Sequence, residues 1–221
     1  MDNLNRRGFA SRSTLLVLCA ALAAGLGLYS AQRYFTPAAN PPTVSQEQLK
    51  SVRLINPPRV LAPYQLTRSD GSALGVDQLR GHWTIVFLGF THCPDVCPTT
   101  LAELAKAQKT WATIAEPRRP RVLFVSVDPE RDTPAITGDY ARFFNAETIA
   151  ATADAAPLAN FAATMGLVYM KVPLDEGGYS MDHSATLVVL DPQGRQAGLI
   201  RPPLAWQQIA DDLRLLSAVQ P

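Results

Sequence analysis

Cysteine and histidine are scarce in this chain, with three of each in 221 residues. Any metal, redox or disulfide chemistry must be assembled from that short roster. An excess of either charge is lacking too: 20 Lys and Arg against 19 Asp and Glu leave a net charge of +1. With the two signs interspersed, the chain carries no electrostatic footprint for nucleic acid. Also absent are a Ser/His/Asp hydrolase arrangement, a phosphate-cradling glycine loop and a peroxidatic motif, which removes those catalytic classes. No internal repeat is present, and the length suits one domain with an appendage.

One segment lacks charge altogether. Between Arg12 and Arg33 no position is charged, and Leu15 to Leu28 is wholly apolar. At 1.5 Å per residue these 20 or so positions span about 30 Å, one bilayer core. Arg6, Arg7 and Arg12 precede the segment and Arg33 alone follows closely, a bias that keeps the N-terminus cytoplasmic. A cleaved signal would close its apolar run on small residues, but Tyr29 stands just before the candidate cut at Ala31. A lipoprotein anchor through Cys19 is disfavoured because the apolar run continues past it. Residues 13–32 therefore read as an uncleaved transmembrane signal anchor behind a basic cytoplasmic flank, 1–12. The remainder is expected on the periplasmic or outer side of the cytoplasmic membrane. Arg6-Arg7-Gly8-Phe9 also resembles a twin-arginine export signal. Cys19 then counts as a small apolar residue within the span, which leaves Cys93 and Cys97 as the thiol pair in an oxidising space.

Residues 33–57 read as a linker around the Pro/Ala/Asn stretch 37–42, and 58–221 as the folded domain. Val60 to Leu66 alternates weakly and precedes Ser69-Asp70-Gly71-Ser72, a hairpin-type turn. The pattern then predicts a strand near 84–90, a helix over 99–112, a strand over 122–127 and a helix near 134–145. A second round predicts a helix near 155–165, strands over 185–190 and 197–201 joined by Asp191-Pro192-Gln193-Gly194, and a helix over 204–217. The alanine-rich 150–163 reads as the approach to its helix. Strands alternating with helices, closed by a hairpin, imply an α/β sandwich with a mixed central sheet.

Cys93 and Cys97 fall where the apolar run Thr84 to Phe90 gives way to a helix. If Cys97 lies in the first turn, both sulfurs share one face about a turn apart. The helix dipole and free amides there favour thiolate, the species that attacks disulfides and binds metal. Redox motifs place two residues between the cysteines; the three found here leave room for a metal while keeping a disulfide within reach. A disulfide closing so short a loop would restrain the unfolded chain little. Two thiolates leave a metal coordinatively incomplete, so a third ligand is expected among the histidines. His82 reads as a surface turn residue. His92, adjoining Cys93, is awkwardly directed for simultaneous ligation. His183 enters a core strand from a loop, where a side chain can face the first helix. Two sulfurs and one imidazole suit copper or zinc, and thiolate softness in an exported domain favours copper. Asp95, Asp128, Glu130, Asp132 and Asp182 are candidates for supporting residues or turn formers. Asp128 stands out at a strand end, whereas Asp132 or Thr133 reads as the cap of a helix begun by Pro134.

Taken together, Gly89-Phe90-Thr91-His92-Cys93-Pro94-Asp95-Val96-Cys97-Pro98, Val127-Asp128-Pro129-Glu130-Arg131-Asp132-Thr133-Pro134 and Asp182-His183-Ser184-Ala185 strongly resemble the Sco/SenC family, over about residues 58–217. The resemblance implies a thioredoxin-like fold behind a membrane anchor. It also implies copper, as Cu(I) or Cu(II), held by Cys93, Cys97 and His183, with Asp128 as a support near the site. A Cys93–Cys97 disulfide would be the alternative state of the same pair. The function implied is a metallochaperone for the binuclear copper (CuA) site of cytochrome c oxidase, with the CuA-bearing subunit as recipient and an upstream copper donor. The rival is a thiol-disulfide oxidoreductase that reduces the target's cysteines and needs no metal. Ordinary thioredoxins place a proline opposite the thiols; His183-Ser184 stands there instead, exchanging a substrate-docking feature for a ligand. Where many relatives carry Leu-Thr-Gly after the second helix, this chain has Glu147 to Thr152.

Overall fold

The computed structural model describes residues 12–35, 44–175 and 177–219. They fall into two units that divide between Thr43 and Val44. The first is a single 24-residue helix, α1 (Arg12–Phe35), with side chains 14–30 exposed, Cys19 among them. It covers the expected anchor at 13–32; among the described residues no helix is long and apolar enough to cross a membrane. The basic flank with Arg6 and Arg7, and the stretch 37–42, lie outside the described residues.

The second unit is built on β1 (Val52–Arg59), β2 (Leu66–Arg68), β3 (Ala73–Leu74), β4 (Thr84–Gly89), α2 (Val96–Trp111), β5 (Arg121–Ser126), α3 (Pro134–Phe144), β6 (Ile149–Thr152), α4 (Ala155–Met165), β7 (Tyr169–Pro173), β8 (Tyr179–His183), β9 (Leu187–Leu190), β10 (Gln196–Ile200) and α5 (Trp206–Ala218). Eight strands form one sheet in the order β1-β10-β9-β4-β5-β6-β2-β3, and β7 and β8 pair apart from it. β4, β5 and β6 run parallel; β9, β10 and β1 add antiparallel on one side and β2 and β3 on the other. The mixed α/β sheet expected from the sequence is therefore present. Every residue of β4 is buried, as befits a central strand covered on both faces. The buried residues of α2 include Cys97, Leu101, Leu104, Gln108 and Trp111, a helical stripe facing the core. Thr133 caps α3, its hydroxyl accepting the Ile136 N–H, and Pro134 fills the first turn. Gly166 ends α4 in the left-handed region at φ 69°.

Three expectations are corrected. The folded unit begins at Val44 rather than 58, and the supposed linker holds β1. Pro57 and Pro58 suggest a linker, yet proline is tolerated on an edge strand, and among the described residues β1 pairs with β10 alone. The buried Asp212 of α5 fixes the start of β1 by accepting the backbone N–H groups of Lys50, Ser51 and Val52 at 2.7–3.0 Å. The alanine-rich segment opens with a strand, β6, because parallel pairing with β5 outweighs the weak strand preference of alanine. His82 is buried, with Nδ1 3.0 Å from the Arg119 carbonyl, and is no surface turn residue.

Candidate metal centre

β4 delivers the chain at Phe90 into a tight turn, where the Cys93 N–H reaches the Phe90 carbonyl at 3.4 Å. Cys93 stays half-buried, while Cys97 in the first turn of α2 is fully buried. The Cys97 N–H donates to the Cys93 sulfur at 3.4 Å, so the helix N-terminus faces the pair. Both thiols are free. Gly89 makes room for them: a Cβ there would lie 2.8 Å from Cys97 Sγ and 2.8 Å from the Phe124 ring.

His183 closes the group from the other side. It is the last residue of β8 rather than part of a loop, opposite Tyr169 of β7. Its ring lies edge-on to Phe87 and Phe90, with centroids 5.9 and 6.1 Å away. Nδ1 is 3.2 Å from the Ser184 carbonyl, which can only accept, so Nδ1 carries the proton and Nε2 presents a lone pair. That Nε2 lies 3.4 Å from Cys97 Sγ. Burial pushes the Cys97 thiol far up and lowers the His183 imidazole, the latter opposed by the Ser184 hydrogen bond. The pair thus rests as thiol and neutral imidazole, and a metal would displace the thiol proton.

The ligand atoms of Cys93, Cys97 and His183 all lie within 4.8 Å of one another. Metal bonds of about 2.0–2.3 Å at trigonal angles separate their donors by about 3.7–4.0 Å, so one ion fits with small side-chain movements. Soft sulfur with imidazole suits copper. Among the described residues this is the one cluster of three or more such donors.

The other predicted residues disperse. His92 is exposed, with Nδ1 3.0 Å from Thr91 Oγ1. Asp95 is exposed and precedes α2 without capping it through its side chain. Asp182 is exposed, and strand alternation turns it away from the face that carries His183. Asp128 is buried and accepts the Tyr179 hydroxyl at 2.8 Å and the Arg131 Nε–H. Asp132, a candidate from the sequence for either a supporting residue or a cap, leaves the capping of α3 to Thr133 and takes the supporting role. It is fully buried and accepts the Thr91 N–H at 2.8 Å, the Thr91 hydroxyl at 2.6 Å and the Ser126 hydroxyl at 2.5 Å. It thereby clamps the turn that leads into Cys93. An acid two residues before a helix N1 proline reads as a cap, and only the tertiary contact separates the two roles.

The SCO1/SenC family profile matches residues 53–218. The chain belongs to the SCO1/SenC family. A Stutzerimonas stutzeri protein named for copper binding is 33% identical over 155 residues, 70% of this chain and 75% of that protein. The bovine mitochondrial SCO2 homologue is 36% identical over 138 residues, 61% of this chain but only 51% of the relative. Copper-bound ScoI from Bradyrhizobium japonicum superposes with a TM-score of 0.65 at 34% identity, covering 71% of this chain and 99% of that one. Copper-bound ScoI from Arabidopsis thaliana gives 0.67 at 28% identity, with 73% and 99% covered. These SCO1/SenC structures share the thioredoxin-like α/β fold described above.

Proposed function

We propose that this chain is a copper metallochaperone that holds one copper ion through Cys93, Cys97 and His183. The convergence of two sulfurs and one imidazole within 4.8 Å carries the reading. Three protein donors leave the ion open on one side, so a thiolate of the recipient can enter and displace them stepwise. The recipient proposed is the CuA-bearing subunit of cytochrome c oxidase, supplied in turn by an upstream donor. The uncharged stretch 13–32 within α1 and the arginines ahead of it support a single-pass anchor in the cytoplasmic membrane, with the folded unit on the periplasmic or outer side. Tethering there would raise the effective concentration at a membrane-bound recipient.

Copper titration of the reduced chain tests this: one ion per chain, an intense sulfur-to-copper band lost in Cys93→Ala, and weaker binding in His183→Ala. Unchanged affinity in His183→Ala would remove the histidine from the site. The second reading, a thiol-disulfide oxidoreductase working on the recipient's cysteines, draws on the asymmetry of the pair, Cys93 partly accessible and Cys97 buried. Under it, each copper-free chain reduces one recipient disulfide to two thiols and is left with a Cys93–Cys97 disulfide, and turnover requires an added thiol reductant to regenerate the pair. Copper transfer without such turnover would reject it.

A further inference from the structure

Among the described residues β7 and β8 pair only with each other in the sheet ladder, and a two-stranded hairpin is marginal by itself. His183 sits at its end. Met181 of β8 is buried in the core, and the side-chain hydrogen bonds and cation–ring contacts at the Tyr179 end come from one short loop between β5 and α3. The Tyr179 hydroxyl of β8 donates to the buried Asp128 at 2.8 Å. Arg131, which also bonds Asp128, donates from Nη1 to the Tyr179 carbonyl at 3.1 Å and stacks its guanidinium 3.9 Å over the Tyr179 ring. Lys171 of β7 lies 3.8 Å over the same ring and donates to Glu130 at 2.7 Å. At its far end the loop places Asp132 on Thr91, in the turn that carries Cys93. A single loop therefore grips both the thiol turn and the histidine hairpin. Tyr179 and His183 share one face of β8, about 13 Å apart along the strand, so a hold on Tyr179 limits the swing of the imidazole.

We infer that Tyr179 is a positioning residue: gripped by Asp128 and Arg131, it sets His183 at ligand distance from the two sulfurs. The inference rests on the copper reading above and extends it. Tyr179→Phe removes the hydroxyl while keeping the ring under Arg131 and the backbone acceptor. In this variant, one copper and both sulfur ligands are retained, nitrogen splitting in the Cu(II) electron paramagnetic spectrum weakens, and copper loss to a chelator speeds up about tenfold. The double variant Tyr179→Phe/His183→Ala loses copper no faster than His183→Ala, because the tyrosine acts only through the histidine. In copper-free protein, amide exchange of β8 rises about tenfold, with β4 and β5 unchanged. Unaltered copper loss and β8 exchange in Tyr179→Phe, or a full tenfold added on top of His183→Ala, would overturn the inference. Should the wild-type chain take no copper, the copper reading fails, and β8 exchange alone decides: faster exchange sustains the tether, unchanged exchange refutes it.

Discussion

Asp132→Ala removes the acceptor that holds the thiol turn, and the loss can be sized donor by donor. Three donors converge on its carboxylate, from the Thr91 N–H, the Thr91 hydroxyl and the Ser126 hydroxyl. Each hydrogen bond to a charged acceptor is worth about 1.5–3 kcal/mol when broken inside a protein. The donors differ in what they find afterwards. Thr91 is partly exposed and can turn to water, whereas Ser126 is fully buried and cannot. The full cost then falls on Ser126 and part of it on Thr91, about 3–4 kcal/mol in all. With a urea slope of about 2 kcal/mol per M, the unfolding midpoint drops by about 1.5–2 M. Asp132→Asn separates charge from shape. Its oxygen can take the two donors now on Oδ2, and the Thr91 hydroxyl can reverse to accept from the amide. The loss should fall to about 1–2 kcal/mol, the difference between charged and neutral acceptors. Urea titration of copper-free protein measures both. A drop below about 1 kcal/mol in the alanine variant would mean that Asp132 does not hold the turn.

Gly89→Ala should cost about 1–3 kcal/mol by overpacking, since its methyl would press on Cys97 Sγ and the Phe124 ring at 2.8 Å. Copper binding should weaken with it, and a variant keeping both the urea midpoint and the copper affinity would contradict the close packing. Tyr64→Phe probes alkaline stability. Burial raises the Tyr64 phenol well above its ordinary value, and its hydroxyl has no hydrogen-bond partner among the described residues. A raised acid contributes stability that is intact below about pH 10 and is lost as pH climbs toward the folded-state value. The variant should match or exceed the wild type in urea at neutral pH and lose less at about pH 10.5. Equal alkaline losses in both proteins would clear Tyr64 of that role.

Elements with a strong period were legible in the sequence. The run predicted as a strand near 84–90 is β4, and the helix expected over 99–112 is α2, begun three residues early because Pro98 is accommodated in its first turn. Segments whose local signal opposes their tertiary role were not legible. β1 hides behind Pro57-Pro58, β6 behind alanines, and β8 behind polar Ser180 and Asp182 on its solvent side. At the site, the thiol spacing pointed to the sulfurs, and His183 emerged as their partner only through family resemblance, since 86 positions separate it from Cys97. Asp132, Arg131 and Tyr179 act through contacts between loops distant in the chain, which no local pattern encodes.

Asp212 also determines how the folded unit bears force. Its carboxylate holds three consecutive amides at the start of β1. A pull on the chain from its N-terminal side thus loads three charge-assisted bonds together before the β1–β10 ladder takes its share. The tension passes into α5, which meets α2 where the Trp111 indole donates to Ala210 and Arg214 to Thr110. That contact lies about 20 Å along α2 from Cys97. The first element to take the load is thus α5, which carries Asp212, and not the thiol turn or the β7–β8 hairpin.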